Sequence, residues 1–352
     1  VRAVITGRDL PLSAKLSNAA SGEIADSDRQ RMSFQANNFL AGEKVLYKGH
    51  AVAAVAAVDS NTAEAALALI KVEYEELAPV VNVRQAMEPG STLLHDSLHT
   101  SSMGETSQKP SNVASYMLFE KGDVDQGFSE SDIIIEREYE TASVHQGYIE
   151  PHTATAHWNA DGQLNIWCST QGSFVVRATT AEVLQYPISK IKVTPMEIGG
   201  GFGGKVTCYQ EPVVAVLSKK TGQPVKLVMS RTEVFEASGP APGSWMKVKL
   251  GATKDGKLIS GKVTLAFEAG AFPGSPVLPG STCSLACYDI PNGLNEAYDV
   301  VVNKPKTAAY RAPGSPQAAF AVESVVDELC QKLEMDPIEF RLLNASKEGT
   351  RK

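Results

Sequence analysis

The heptapeptide GGGFGGK at residues 199–205 decides how this chain is interpreted. It follows a predicted strand at residues 191–198 and precedes a predicted helix from about residue 206 to 219. Free backbone N–H groups and the dipole of a following helix favour an anionic ligand there, and the missing side chains would let that ligand come close. Because glycine loses much entropy on ordering, five glycines and a phenylalanine within residues 199–204 indicate a ligand-binding loop rather than an ordinary turn.

Two nucleotide-binding patterns fit the same letters incompletely. GxxxxGK is satisfied, but the next residue is Val206, which lacks the hydroxyl that would hold Mg²⁺. GxGxxG is satisfied too, yet the acidic residue expected about 20 positions later is displaced to Glu233. A nucleotide-binding protein stays open as an alternative, to be recognised by Mg-dependent ATP binding without molybdenum.

Composition limits the classes of partner. The chain has 352 residues with 43% hydrophobic content, enough for two or three domains with substantial cores. A formal net charge of −7 argues against a nucleic-acid binder, which normally carries a basic surface. The longest apolar run, residues 51–58, is far shorter than the roughly 20 residues of a membrane span. We therefore expect neither nucleic acid nor a membrane as a partner.

Cysteines and histidines give weak metal signals. The five cysteines are too scattered for a disulfide framework, which favours a reduced, cytoplasmic protein. Cys283 and Cys287 form a CxxxC pair without a second ligand pair, so buried or partly buried thiols are the simpler interpretation. The spacing of His145, His152 and His157 around residue 150 fits no zinc motif, so we predict structural hydrogen bonding there.

The alternation of strand and helix patterns predicts a mixed α+β fold. A small α/β domain with a linker is predicted at residues 1–112, followed by a second domain at residues 113–352. The Ser-, Thr-, Gly- and Pro-rich stretch at residues 97–114 is the predicted linker. The predicted elements of the first domain are strands at residues 1–5, 52–58 and 71–74, and a helix at 63–70 with Thr62 as its N-cap. Further predictions are strands at 133–139 and 164–167, helices at 173–184 and 317–333, and a glycine- and proline-rich loop at 269–281.

Both ends of the sequence look cut. A strand begins at the first residue without a start methionine, and residues 346–352 follow directly on a helix. We expect the functional polypeptide to be longer, or to be completed by another chain.

Several segments together resemble the large subunit of the xanthine oxidase and aldehyde oxidoreductase family of molybdenum hydroxylases. The resemblance covers essentially the whole chain, and the segments occur in the family's order. Residues 47–55 and 72–79 resemble its hammerhead domain, and GGGFGGK is its most recognisable motif. The remaining matches are STQ at 169–171, AYRAPGSPQ at 309–317 and DPIEFR at 336–341. The resemblance implies an α/β hammerhead domain followed by the first molybdopterin-binding domain.

The resemblance also implies a cofactor, a molybdenum ion held by a phosphate-bearing pterin, in bacteria often extended as a cytosine dinucleotide. Gly201, Phe202 and Gly203 would lie against the pterin and the oxo face of the metal. Gln171 would donate its amide hydrogens to the oxo ligand, and Arg311 would belong to the cofactor and substrate pocket. No side chain of this chain would bind the metal directly.

Departures from the family pattern concern the substrate. Val206 stands where purine-oxidising members carry a glutamate, and the region of Pro279 lacks their arginine. Ala312 stands where members that oxidise carbon monoxide carry a copper-binding cysteine. A pocket with Val206 and Pro313 is less charged, which suits an aldehyde or a neutral aromatic heterocycle.

The family's catalytic glutamate has no counterpart in this chain, so no catalytic residue is predicted here. The resemblance implies a second molybdopterin-binding domain or subunit, and 2Fe–2S clusters and FAD on partner chains or domains. The alternative is a non-catalytic cofactor-binding or assembly subunit of a split molybdenum enzyme. Because some relatives are exported, a periplasmic location stays open beside the cytoplasm.

Overall fold

The computed structural model describes residues 1–20 and 22–350, which form the predicted mixture of helices and strands. The α+β fold class is therefore confirmed. In chain order the elements are β1 Ala3–Thr6, α1 Pro11–Asn18, α2 Asp26–Phe39, β2 Ala53–Ala56, α3 Ser60–Leu67, α4 Val83–Met87, β3 His99–Ser102, β4 Glu105–Pro110, β5 Val113–Lys121, α5 Val124–Ser129, β6 Ile133–Thr141, β7 Thr153–Trp158, β8 Leu164–Cys168, α6 Ser173–Leu184, β9 Ile191–Pro195, α7 Glu211–Thr221, β10 Val225–Val228, α8 Arg231–Ala237, β11 Ser244–Ala252, β12 Leu258–Gly270, α9 Val277–Ser284, β13 Asn292–Val301, α10 Ser315–Leu333 and α11 Pro337–Asn344.

These elements form two compact units whose segments alternate along the chain. The first unit comprises Val1–Pro79, His145–Pro240 and Asn303–Tyr310. The second comprises Val80–Val144, Ala241–Val302 and the chain from Arg311 onward. The predicted domain division at residue 112 concerns contiguous stretches of sequence, and it stays a prediction.

A four-stranded sheet in the order β10-β7-β8-β9 organises the first unit. Its buried side chains, among them Ala154, Ile166 and Ile191, share a core with α6 and α7. Strands β8 and β9 are parallel, with Cys168 paired to Pro195 at their carboxyl ends. Because parallel strands end at the same edge of a sheet, the segments that follow β8 and β9 emerge side by side.

The N-terminal part of the first unit differs from its prediction in two places. Strands β1 and β2 pair antiparallel, as a two-stranded ribbon. Helix α3 is capped by Asp59, whose side chain accepts the Thr62 N–H, so the prediction of Thr62 as N-cap is wrong. Residues 71–74 form no ladder with any described strand, so the strand predicted there is wrong as well.

A seven-stranded mixed sheet in the order β4-β3-β5-β13-β12-β11-β6 organises the second unit. Helix α10 buries an apolar face against the sheet, and Val322, Val326 and Leu329 lie in that core. The segment at residues 97–114, predicted as a linker, forms a hairpin of β3 and β4 and the start of β5, because Met103 and Gly104 make a tight turn with positive φ angles. The predicted loop at 269–281 is interrupted by α9, which begins at Val277.

The helices of residues 1–20 and 22–350 include none with the length and apolar content of a membrane span. The two residues at the C-terminal end of the predicted tail, Arg351 and Lys352, lie outside the described residues.

Candidate cofactor-binding site

The parallel strands β8 and β9 bring two predicted site segments together. Gln171 follows β8 by three residues, and the glycine loop, residues 199–205, follows β9 by four. The Met196 N–H donates to the Cys168 carbonyl at 3.0 Å, which extends the pairing past the strand ends. Gln171 therefore lies against the glycine loop, and its own N–H donates to the Lys205 carbonyl at 2.9 Å.

The glycine loop adopts backbone conformations that require small residues. Gly200, Phe202 and Gly203 have positive φ angles of 92°, 52° and 104°. A Cβ on Gly203 would approach the Ala309 carbonyl oxygen to 2.8 Å, and one on Gly201 would approach the Gln171 Oε1 to 2.6 Å. At these positions the protein's own atoms fill the space beside the backbone, so the predicted reason for the glycines, room for a ligand, is wrong there.

A second correction concerns the helix after the loop. Helix α7 begins at Glu211 rather than at about residue 206, since residues 206–210 are irregular. Five residues therefore separate the loop from the helix N-terminus, and the helix dipole falls off within the first turn. Any anion at this loop would be bound by the loop's own amides.

Three of those amides have no acceptor. The N–H groups of Gly200, Gly201 and Phe202 form no hydrogen bond with any residue that the structure describes. The other amides of the loop all have acceptors. Those of Gly199, of Gly203 and Lys205, and of Gly204 donate to the Glu150 carboxylate, the Gln171 carboxamide and the Gly201 carbonyl, respectively. Successive backbone N–H groups without internal acceptors can donate together to one anionic group.

The carboxamide of Gln171 is oriented by this loop. Its Oε1 accepts the Gly203 N–H at 3.0 Å and the Lys205 N–H at 3.2 Å. Because the oxygen must face these donors, the NH₂ group points away, and it has no acceptor among the described residues. The exposed side chain of Gln171 therefore offers two further hydrogen-bond donors beside the three free amides.

Phe202 presents an apolar surface at the same place, because its side chain is 52% exposed within the loop. Val206, the predicted substrate-pocket residue, follows the loop directly, and its N–H donates to the Gly203 carbonyl at 3.2 Å. The structure thus brings Gln171, Gly201, Phe202, Gly203 and Val206 together in the first unit.

Arg311 and Pro313 belong to the second unit. The guanidinium of Arg311 is exposed and forms no ion pair with any described residue. Ala312 has a positive φ of 57°, and a Cβ on Gly314 would approach the Pro276 carbonyl oxygen to 2.3 Å. This turn is thus conformationally fixed, with the arginine on its outside.

Beneath the glycine loop lies a polar layer that the sequence did not reveal. The Lys205 ammonium, whose side chain is fully buried, pairs with Glu150 at 2.7 Å. Gln146 is buried and donates to the carbonyls of Gly239 and Ala309. The sequence signal for this layer is the segment at residues 145–152, which contains Gln146 and Glu150 beside two histidines.

The histidines of this layer are hydrogen-bonded and neutral. His152 Nε2 lies 2.6 Å from the Tyr148 hydroxyl, and His145 Nε2 lies 2.8 Å from the Ser238 hydroxyl, as predicted for these two residues. Burial, aided by the charge of Lys205, lowers the pKa of His152 to about 3. The imidazole of His157 has no hydrogen-bond partner among the described residues, so the prediction does not extend to it.

Metal-binding side chains are not grouped within residues 1–20 and 22–350: no three Cys, His, Asp or Glu residues cluster as ligands. The five cysteines are free thiols. The Cys283 thiol donates to the Gly280 carbonyl at 3.3 Å, and Cys287 is exposed.

Two family models match the chain. The model described as aldehyde oxidase and xanthine dehydrogenase, a/b hammerhead domain, matches residues 1–78. The model described as molybdopterin cofactor-binding domain matches residues 106–345, more than half of the chain. The chain belongs to the molybdenum hydroxylase large-subunit family.

Individual members of this family resemble the chain over most of its length. It is 34% identical over 315 residues to the nicotinate dehydrogenase large molybdopterin subunit of Eubacterium barkeri, covering 89% of this chain and 71% of that protein. It is 29% identical over 353 residues to the xanthine dehydrogenase molybdenum-binding subunit of Escherichia coli O157:H7, covering 99% and 45%. The aldehyde oxidoreductase structure from Desulfovibrio gigas matches with a TM-score of 0.86 and 27% identity, covering 99% of this chain and 37% of that chain.

The chain therefore spans most of one molybdenum hydroxylase subunit but less than half of the other two. The donors at the glycine loop fit the family's cofactor, because a pterin-bound oxometal group presents oxygen and sulfur acceptors and a flat ring. Five N–H bonds without acceptors, three from the loop backbone and two from Gln171, suit such acceptors.

Proposed function

We propose that this chain forms part of a molybdenum-dependent oxidoreductase that hydroxylates an aldehyde or heteroaromatic carbon with water as the oxygen source. The observation that carries this proposal is the set of free donors around Gln171. The loop amides bind its Oε1, and its NH₂ has no acceptor among the described residues. A neutral donor fixed before binding stabilises a polarised oxygen without further reorganisation.

The residues of this chain would hold the molybdopterin cofactor rather than carry out proton transfer. Gln171 would donate to a cofactor oxygen, the amides of Gly201 and Phe202 would bind its anionic groups, and the exposed Phe202 ring would pack against the pterin. Gly203 would keep the loop in this conformation, and Arg311 would contribute a positive charge to the pocket. The cofactor, when bound, takes two electrons from the substrate as a water-derived oxygen is added.

The rest of the active site would come from outside this chain. The general-base glutamate is expected on a second molybdopterin-binding domain or subunit. Iron–sulfur clusters and FAD on partner chains or domains would remove the electrons, and the cofactor would carry either a plain phosphate or a cytosine nucleotide. Residues 1–112 would be the hammerhead domain with its linker, and residues 113–352 the first molybdopterin-binding domain. The free cysteines support a cytoplasmic location.

The substrate would be a neutral aldehyde or aromatic heterocycle rather than xanthine. Val206 and Pro313 are uncharged, so this chain supplies no carboxylate at position 206 to hold a purine. The resemblance to a nicotinate dehydrogenase subunit supports an aromatic heterocycle, but nicotinate carries a carboxylate, so this relative supports the ring class and not its neutrality.

The role of Gln171 is tested by Gln171→Glu in the full-length polypeptide, purified with the subunits that accompany it. The carboxylate can still accept the Gly203 and Lys205 amides, but it has no hydrogens to donate. We expect molybdenum-dependent turnover to fall about 100-fold, as on removal of one oxyanion donor. Turnover is measured with benzaldehyde and nicotinate, and molybdenum content by mass spectrometry.

The matched control is Gln223→Glu, which adds the same negative charge at an exposed position of the first unit. Equal turnover in the two variants would contradict the role given to Gln171. Stoichiometric molybdenum without turnover on any aldehyde or heterocycle would favour the assembly-subunit alternative.

A further inference from the structure

Both ends of the glycine loop meet a single carboxylate oxygen. The Oε2 atom of Glu150 accepts the Gly199 N–H at 2.7 Å and the Lys205 ammonium at 2.7 Å. Gly199 and Lys205 are the first and last residues of the loop. The loop is thus closed into a ring by one acceptor that belongs to another segment of the first unit.

The two charges of this ion pair differ in their environment. The Lys205 side chain is fully buried, whereas the Glu150 side chain keeps 29% of its surface exposed. The ammonium also lies 4.9 Å from the centre of the Tyr148 ring, whose negative face attracts cations. Glu150 is the acidic partner of Lys205 in the described part of the chain. The lysine therefore depends on this one carboxylate for its counter-charge.

Inside the ring, the amides are divided into two sets. Gln171 Oε1 holds the amides of Gly203 and Lys205 toward the protein. The amides of residues 200–202 are left without acceptors on the outside. We propose that Glu150 and Lys205 are positioning residues whose ion pair holds the loop in the conformation that exposes these three amides. The identity of the bound group rests on the proposed function, whereas the closure of the ring does not.

This arrangement predicts an asymmetry between the two partners. Glu150→Gln leaves a buried ammonium without a counter-charge, a free-energy cost that opening of the loop relieves by hydrating the lysine. Lys205→Met keeps the stem of the side chain and leaves a carboxylate that is partly solvated and still accepts the Gly199 N–H. In the double variant the unpaired buried charge is gone. The glutamate substitution alone should therefore disturb the loop most.

Amide hydrogen exchange of the full-length polypeptide in its cofactor-free form tests this directly. In a peptide covering residues 197–206, Glu150→Gln should exchange about 100-fold faster than the wild type, because breaking a buried pair costs several kcal/mol. Lys205→Met and the double variant should each change exchange by about threefold at most. Recovery of protection in the double variant is the signature of charge pairing, which a purely packing role of Glu150 would not give.

The matched control is Asp9→Asn in the same unit. Asp9 likewise accepts a backbone amide, that of Thr6 at 2.8 Å, and pairs with a lysine, Lys220 at 2.5 Å, but that lysine is 43% exposed. This variant should leave exchange in the glycine loop unchanged. Two results would overturn the proposal. One is equal exchange of the glycine loop in Glu150→Gln and Asp9→Asn, and the other is exchange in Lys205→Met as fast as in Glu150→Gln.

Two further outcomes separate this proposal from the proposed function. If Glu150→Gln does not fold but the double variant does, the pairing is supported, and failure of both contradicts it. If the exchange data agree but the wild type never binds molybdenum, the positioning role of the Glu150–Lys205 ion pair is supported and the proposed function is contradicted. If the wild type binds molybdenum and Glu150→Gln keeps both its protection from amide exchange and its metal, the positioning role of the ion pair is contradicted and the proposed function is not.

Discussion

Two glycine-rich turns of this protein use their backbone amides differently. In the second unit, at residues 273–280, the Gly274 and Ser275 amides donate to the two oxygens of the buried Asp299, at 2.8 and 2.7 Å. In the first unit, Glu150 and Gln171 take the amides at the ends of the glycine loop but leave those of residues 200–202 free.

The difference teaches that glycine content alone does not identify a binding site. Both turns contain glycines with positive φ angles that favour glycine, Gly203 at 104° and Gly274 at 111°. What distinguishes the loop at 199–205 is the donors left over after internal hydrogen bonding is complete. Backbone amides that no described group of the protein accepts are available to a ligand, which makes this loop rather than the other turn the candidate binding site.

The largest effect is expected from Gly203→Val in the glycine loop. Its φ of 104° and the Ala309 carbonyl at 2.8 Å from the added Cβ combine backbone strain with overpacking, together about 4 kcal/mol. We expect urea unfolding to shift by that amount and molybdenum content to fall below one tenth of wild type. Gly222→Ala is the control, because its φ is also positive, at 63°, but no atom lies within 4 Å of the added Cβ. Normal molybdenum content in Gly203→Val would refute this role.

A smaller effect is expected from Asp299→Ala in the turn at residues 273–280. The substitution leaves two backbone amides without their charged acceptor, which costs about 3 kcal/mol. Stability in urea should fall accordingly while molybdenum content stays at the wild-type level. The exposed Asp255→Ala is the control and should leave the urea midpoint unchanged. Loss of molybdenum in step with stability in Asp299→Ala would show that the two turns do not differ as stated.

The smallest effect concerns pH and the layer beneath the glycine loop. Burial lowers the pKa of His152 to about 3, from an unfolded value of 6.5. Between these two pH values the unfolded state binds a proton at His152 and the folded state does not. Stability should therefore fall as pH drops from 7 toward 3, by about 2 kcal/mol at pH 5 from this residue. Comparing urea midpoints at pH 7 and 5 checks this, and His152→Gln should lose that part of the pH dependence. An unchanged pH dependence in the variant would contradict it.

Local patterns were read correctly where the elements are autonomous. Helix α6 spans Ser173–Leu184, as its pattern predicts, and strand β8 spans Leu164–Cys168, one residue longer than predicted. The prediction that Gln171 and the glycine loop belong to one site came from the family resemblance. The physical reason, parallel pairing of β8 with β9, is a long-range contact that a single sequence does not encode locally.

The predictions were wrong where strand pairing, rather than the local pattern of residues, decides whether a segment forms a strand. Residues 71–74 alternate like a strand but pair with no described strand, and the polar stretch at 97–114 pairs as strands. The Glu150–Lys205 ion pair joins residues 55 positions apart, so the charge of Lys205 could not be assigned a partner from the sequence. The helix after the glycine loop starts at Glu211, and Pro212 in its first turn is a sequence signal for that start.

The most direct test of the free-donor account is a crystal structure of the full-length enzyme purified with its cofactor. The account predicts cofactor oxygen or sulfur atoms within hydrogen-bond distance of the Gln171 NH₂ group and of at least one amide of residues 200–202, with the Gln171 Oε1 still on the Gly203 and Lys205 amides. A cofactor bound elsewhere, or a Gln171 carboxamide whose NH₂ is turned onto a protein carbonyl, would contradict it.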